Sequence, residues 1–217
     1  MPDATDFASS VQGLRLRITP LEEDGSPVAS GHILVTEGFM TVSFSPEYED
    51  GDEIAEKAAN GRVCVSWKAP DSLKRITTNL TICSPDPEVT AILSGGDLLW
   101  DDDDNLIGYS APEVNGLLGS PVAIEVWSYA NINGKAAADL PYWRWVFPYL
   151  ILRFDGDREF SNGMLANEFS GWGIGNDQLS LDNWTYGGLD RPFAYVRDDT
   201  LPTVGWTGTP PSPPAGS

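Results

Sequence analysis

Histidine is almost missing from this 217-residue chain, with one copy at His32, and cysteine occurs only at Cys64 and Cys83. One His and two Cys leave no metal-ligand spacing. A Ser-His-Asp arrangement would have to use His32, in Ser30-Gly31-His32 at an expected strand start. It reads as an ordinary surface or half-buried histidine, and nothing in the sequence puts it beside a cysteine nucleophile. Two cysteines are too few for a secreted disulfide scaffold and read as reduced, buried thiols. Gly171-Trp172-Gly173-Ile174-Gly175 is glycine-rich but has no following helix, so it does not read as a phosphate loop. These gaps leave no His- or Cys-centred catalytic arrangement, phosphate loop or metal site legible in the sequence, and so no sign of a cofactor.

Long apolar runs are missing too. No stretch reaches the roughly 18 residues that span a bilayer as a helix. The opening MPDATDFASSVQG has neither a basic n-region nor an apolar h-region, which predicts no signal peptide and synthesis in a cytoplasm. Asn79-Leu80-Thr81 and Asn183-Trp184-Thr185 are then chance sequons. Positive charge is scarce. Lys and Arg number 13 against 32 Asp and Glu, for a net charge of −19. A duplex-binding surface needs cations to displace counterions, so that function class is excluded. If copies assemble, their contacts must overcome this repulsion.

What is plentiful is turn and strand chemistry: 22 Gly, 17 Pro and 11% aromatics. Leu14–Ile18 alternates as a half-buried strand. Ile33–Thr36 and Phe39–Phe44 read as a hairpin about Glu37-Gly38. Further strands are expected at Val63–Trp67, Ile76–Cys83, Leu98–Trp100, Leu106–Tyr109, Val122–Tyr129, Tyr142–Phe154, Glu159–Phe169, Leu179–Tyr186 and Phe193–Val196. One helix stands out. Asp86 is placed to cap it, Pro87 suits the first position, Glu88 favours the positive end and Gly95-Gly96 stops it. Its Val89, Ile92 and Leu93 form an apolar stripe. The acidic stretch Glu47 to Glu56 has two readings: a short helix over 53–59 capped by Asp52, or a long extended loop ending at Asn60-Gly61. The expected class is therefore mainly β (α+β), a sandwich or partly open barrel with one flanking helix. Residues 1–12 form an N-terminal arm, 13–200 the β domain, and 201–217 a Pro/Gly-rich extended tail that cannot form a core.

Two acidic features invite chemistry. Asp101-Asp102-Asp103-Asp104 lacks the spaced ligands of a calcium loop and reads as a solvated turn. Glu125, in a strand with aromatics nearby, supports an alternative reading of the chain as a monomeric, secreted-type carbohydrate-active or carbohydrate-binding β-sandwich, which needs two facing carboxylates in a Trp-lined cleft.

The segment YWRWVFPYLILRF, Tyr142 to Phe154, is apolar at both parities. A strand covered on one side alternates, so something must cover the second face. Two covers are open: the helix stripe of the same chain, or an adjacent subunit meeting Trp143, Trp145, Phe147 and Tyr149.

The order of four segments resembles the major tail protein (tail tube protein) of long-tailed phages, most like those of actinobacteria. They are Gly61-Arg62-Val63-Cys64-Val65 with Leu73-Lys74-Arg75, then Leu80 to Glu88 running into the helix. Val122 to Trp127 follows, then Tyr142 to Pro148 with Phe160-Ser161-Asn162-Gly163, Phe169-Ser170-Gly171 and Asn176. The resemblance implies a non-enzymatic virion protein, assembled in the host bacterial cytoplasm. Six copies form a ring, and stacked rings form a hollow tube through which DNA passes without specific binding. The implied partners are the chain itself and other tail proteins: tape measure, tail terminator and distal tail. Larger relatives append an immunoglobulin-like domain at the C-terminus; the Pro-rich tail in that position predicts no such decoration here. A lumen lined by carboxylates would repel phosphate. Glu47, Glu49, Asp50, Asp52, Glu53 and Glu56 resemble the loop that reaches between rings, with Lys68, Lys74 or Arg75 of the next ring as charge partners.

Overall fold

A computed structural model describes residues 8–83, 86–116, 119–156, 166–179 and 190–213. The expected Leu179–Tyr186 strand and the first half of the expected Glu159–Phe169 strand fall largely outside them. The described chain is mainly β with one helix, as the composition implies. Its strands are β1 (Ser9–Pro20), β2 (Ile33–Thr36), β3 (Phe39–Glu49), β4 (Glu53–Lys57), β5 (Val63–Lys68), β6 (Ser72–Ile82), β7 (Asp97–Trp100), β8 (Leu106–Ser110), β9 (Val122–Ile132), β10 (Lys135–Ala136), β11 (Tyr142–Asp155), β12 (Asn167–Ile174), β13 (Ala194–Asp198) and β14 (Gly205–Thr207); α1 is Pro87–Ser94.

Ten strands share one sheet, in the order β14-β2-β1-β9-β11-β12-β6-β3, with β10 on β9 and β13 on β11. The sheet turns back on itself. Phe44 of β3 packs on Trp145 and Phe147 of β11, at ring separations of 5.9 and 5.1 Å. One core fills the space between the two halves: Leu16, Ile18, Ile124 and Val126 from one side, Ile76, Leu80, Leu152 and Phe169 from the other.

β11 is the strand both halves share, and its register explains the doubly apolar sequence. Its pairing with β9 breaks between Phe147 and Leu150, around Pro148. Proline lacks the ladder N–H and is tolerated at such a bulge. The bulge swaps parity. Phe147 faces the core before it, and Leu150 and Leu152 face the core after it. The strand is therefore apolar at both parities because each parity serves the core in one half.

The helix forms as its residues require. Asp86 Oδ1 accepts from the amides of Glu88 and Val89, Pro87 opens the first turn, and Gly95 closes it with φ of 74°. Val89 and Leu93 are buried in the main core, with Ile92 packed against it. The same chain thus supplies the cover expected of this stripe.

Four expectations change, one of them the helix among the two open readings of 53–59. β2 and β3 are no hairpin: β2 pairs with β1 and β14, while β3 pairs with β6. The Glu37-Gly38 link carries the chain across the sandwich, with Cys83 N–H donating to the Gly38 carbonyl. Residues 53–57 are extended, not helical. Cys64 is exposed and Cys83 half-buried, both as free thiols; Cys64 sits on a strand that nothing in the described chain covers. β1 begins at Ser9, inside the stretch read as an N-terminal arm, and the proline-rich tail supplies β14.

Candidate functional site: an exposed β-arm and an open sheet edge

β3 and β6 form one long ladder from Phe39↔Ile82 to Glu49↔Ser72. Beyond it the two chains continue as β4 and β5, from Glu53↔Lys68 to Lys57↔Val63. At the join, a Cβ on Gly51 would collide with the Ala69 carbonyl oxygen, so only glycine fits that crossing. Ala69 N–H donates to the Asp52 carbonyl and Gly51 N–H to Asp71. The tip turns at Asn60-Gly61, with Gly61 at φ of 81°.

Every residue of β4 and β5 is exposed. The register gives this ribbon two unlike faces. Ile54 opposes Trp67 and Glu56 opposes Val65, so Ile54, Val65 and Trp67 share a face, with Val63 two residues on. Each of those four apolar side chains shows half or more of its surface to solvent: Ile54 50%, Val63 58%, Val65 52% and Trp67 55%. The other face carries Glu53, Ala55, Cys64, Ser66 and Lys68. A two-stranded ribbon is marginal alone in water. An apolar stripe on one is a surface awaiting cover.

The acidic candidates all lie along this arm. Glu47 and Glu49 end β3, Asp50 and Asp52 occupy the join, and Glu53 and Glu56 are on β4. Two of the three cations expected to meet them on a neighbouring ring, Arg75 and Lys68, are engaged at home. Arg75 donates to Glu47 at 2.5 and 3.2 Å, and Lys68 lies 3.4 Å from Asp71 and 3.9 Å from Asp50. The Arg75 bond holds the Glu47 carboxyl below its ordinary value. Asp71 is lowered by the Gly51 amide first and Lys68 second. These pairs brace the root of the arm and leave its outer acids without cations.

The four aromatic candidates of β11 are covered largely by their own chain. Phe147 is buried in the main core. Trp145 packs on Phe44 and on Tyr195 of β13. Trp143 meets Tyr195 and Arg197 and donates from Nε1 to the Ala8 carbonyl at 3.0 Å. Tyr149 packs on Leu21, Ala123 and Leu179.

Glu125 is 1% exposed and receives hydrogen bonds from Arg17 and from Arg144 at 2.7 Å. Both guanidiniums also lie over Trp127, at 5.4 and 5.2 Å, and Trp127 Nε1 donates to Asp198 at 3.1 Å. A carboxylate this enclosed and neutralised has no free oxygen to offer a glycosidic bond. The network fixes β1, β9, β11 and β13 to one another on the sheet face opposite the main core. Sequence spacing gave no hint of it, because its members lie on four strands.

The tail returns over the molecule. Arg15 donates to the Pro202 carbonyl, β14 pairs with β2, and Trp206 stacks on His32 at 4.1 Å. His32 Nε2 in turn bonds Glu88 at 2.9 Å. Asp101 accepts from the amides of Asp103 and Asn105, so the four-aspartate run is a turn. Among the described residues no three His, Cys, Asp or Glu gather to hold a metal, and no helix is long and apolar enough to cross a membrane.

Comparison with models of known protein families finds no match, and no curated protein is similar enough to the chain to serve as a relative.

Proposed function

We propose that the chain is a structural subunit that assembles with copies of itself, as the tail tube protein of a long-tailed phage. The observation that carries this reading is the arm: a projecting β-ribbon with an uncovered apolar stripe, rooted by internal ion pairs. Such an element stabilises nothing in a lone chain. It gains its worth when another surface covers it.

Two further features support the reading. β3 ends the main sheet, and its outer edge has no partner strand among the described residues. It bears Pro46, one of the devices that blunt an edge against promiscuous pairing. The outward face of the β3–β6–β12 layer is rich in small polar side chains, among them Ser43, Ser45, Thr77, Asn79 and Ser170. A tube wall must be wet on its bore and must not grip phosphate. In this reading six copies close each ring, rings stack, and DNA passes along the bore during delivery. Tape measure, terminator and distal tail proteins would bound the tube at its centre and ends.

Negative-stain microscopy of the purified full chain tests this. Rings or tubes are the expected particles. A chain that remains monomeric in sedimentation at high concentration, in both low and high salt, would overturn the proposal.

A further inference from the structure

The chain from residue 199 to residue 212 lies against the sandwich and joins its sheet only at β14. It leaves β13, beside β11, and reaches β14, beyond β2, so it spans the breadth of one half-sheet. Three hydrogen-bonded ties hold it. Arg15 donates to the Pro202 carbonyl. Gly205, Trp206 and Thr207 of β14 pair with Val35, Leu34 and Ile33. Thr209 N–H donates to the Ser30 carbonyl at 3.0 Å. No side chain from Leu201 to Ser217 is charged, so no ion pair locks the segment down.

Trp206 is the pin. Its ring lies on His32 at 4.1 Å, with 9° between the planes, and packs against the main core. The bond from His32 Nε2 to Glu88 orients the ring that receives it. Past the pin the segment is not seated. Thr209, Pro210, Pro211 and Ser212 roof a cavity of about 300 Å³ above Ile92 and Leu98, unlike the close packing of a protein interior. His32 Nδ1 is buried without a hydrogen-bond partner. An unpaired buried polar atom is a cost that the closed arrangement carries, and lifting Trp206 off the ring lets water reach it.

We propose that residues 199–212 are a lid that opens as a unit from its β13 end, and that the groove beneath it, between β2 and α1, is a peptide-binding surface whose resting occupant is the lid itself. Opening parts three paired residues, two further hydrogen bonds and one stacked ring, and leaves the sandwich folded. Closed, the lid covers the outer edge of β2, a margin that would otherwise template a foreign strand. Open, the groove offers a free backbone edge at Ile33–Thr36, a flat seat on His32 and an apolar wall at Ile92 and Leu98. Strand addition needs such a combination: an edge for the main chain and seats for alternate side chains. Its ligand chemistry is that of the lid: extended, uncharged, with a tryptophan ahead of two prolines. The contact is autoinhibitory, because a rival must displace an intramolecular ligand whose effective concentration is on the order of millimolar. This inference goes beyond the self-assembly proposed above and does not depend on it.

Peptide binding to the full chain, with hydrogen exchange on the same samples, tests the lid. The probe is a fluorescein-labelled peptide of residues 201–213, read by anisotropy. Trp206→Ala in the chain removes the pin and should tighten peptide binding at least about tenfold over the wild-type chain. Gly208→Ala is the second variant. It keeps Trp206 but sets a Cβ against the Gly31 carbonyl oxygen at a φ of 88°, and should tighten binding by a smaller factor. A peptide carrying Trp206→Ala should bind neither variant. Exchange across residues 201–212 should rise at least about tenfold in both variants while β9 keeps its wild-type protection. Loss of β9 protection in both variants would overturn the lid, because the segment would then be part of the sandwich's own fold. Faster exchange with no gain in peptide binding by either variant would overturn the groove as a binding surface. Equal binding of the peptide lacking the tryptophan would overturn the pin.

Discussion

The sandwich and the arm are built from the same strand-forming residues and behave as opposites. In the sandwich, β9 buries both faces from Val122 to Ser128. In the arm, neither face of β4 or β5 is buried. Val126 and Val65 have the same side chain; one lies in the core and the other is half exposed. The difference lies in neighbours. A strand gains stability from the layers around it, and the arm has one strand beside it and none above. Under the proposed self-assembly, these are the side chains that a second copy would cover.

The sharpest way to break this contrast is to remove the arm. Replacing residues 50–71 by an Asn-Gly turn should abolish assembly in sedimentation while the monomer still unfolds cooperatively at an unchanged denaturant midpoint. A large drop in midpoint would show that the arm supports the sandwich after all. Substitutions inside the sandwich should behave in reverse. Glu125→Ala leaves two guanidiniums without their shared carboxylate and should cost about 3–5 kcal/mol in urea unfolding. Leu80→Ala should cost about 2–5 kcal/mol by the cavity it opens.

Smaller effects sharpen the boundary. Asp86→Ala removes the cap of α1 and should cost about 1 kcal/mol. The smallest effect concerns the arm's root. The Arg75 bond lowers the Glu47 carboxyl below its ordinary value of 4.5, so the folded form holds its proton less readily than the unfolded one. The stabilisation is present above pH 4.5 and fades as pH falls through the lower, folded value. Hydrogen exchange at residues 47–50 and 71–75 should accelerate on acidification across that window while the β9 amides stay protected. Arg75→Gln should remove the pH dependence at this root.

Much of the architecture was legible in local chemistry. The helix declared both ends through Asp86-Pro87 and Gly95-Gly96, and strands with clear punctuation fell close to their expected places. The β2–β3 hairpin failed because Glu37-Gly38 is a valid turn signal that says nothing about which strands it joins. The helix reading of 53–59 failed because β5 was available across the Asn60-Gly61 turn, and ladder pairing outweighs a cap. Cys64 was misjudged for the reason the arm was: a β-branched run looks buried whether or not anything lies over it.

Composition and order alone determined the class: an acidic, β-rich chain with one capped helix, a single histidine and two cysteines. Those are local properties, set by backbone preference and side-chain chemistry within a few residues. Only the tertiary structure decided which apolar strands find cover. Pro148 turns one greasy strand into a hinge between two half-sheets, Glu125 is neutralised by arginines from two other strands, and Val63, Val65 and Trp67 remain in solvent. Burial depends on residues distant in the chain, and a period of two in the sequence does not reveal what lies above the strand.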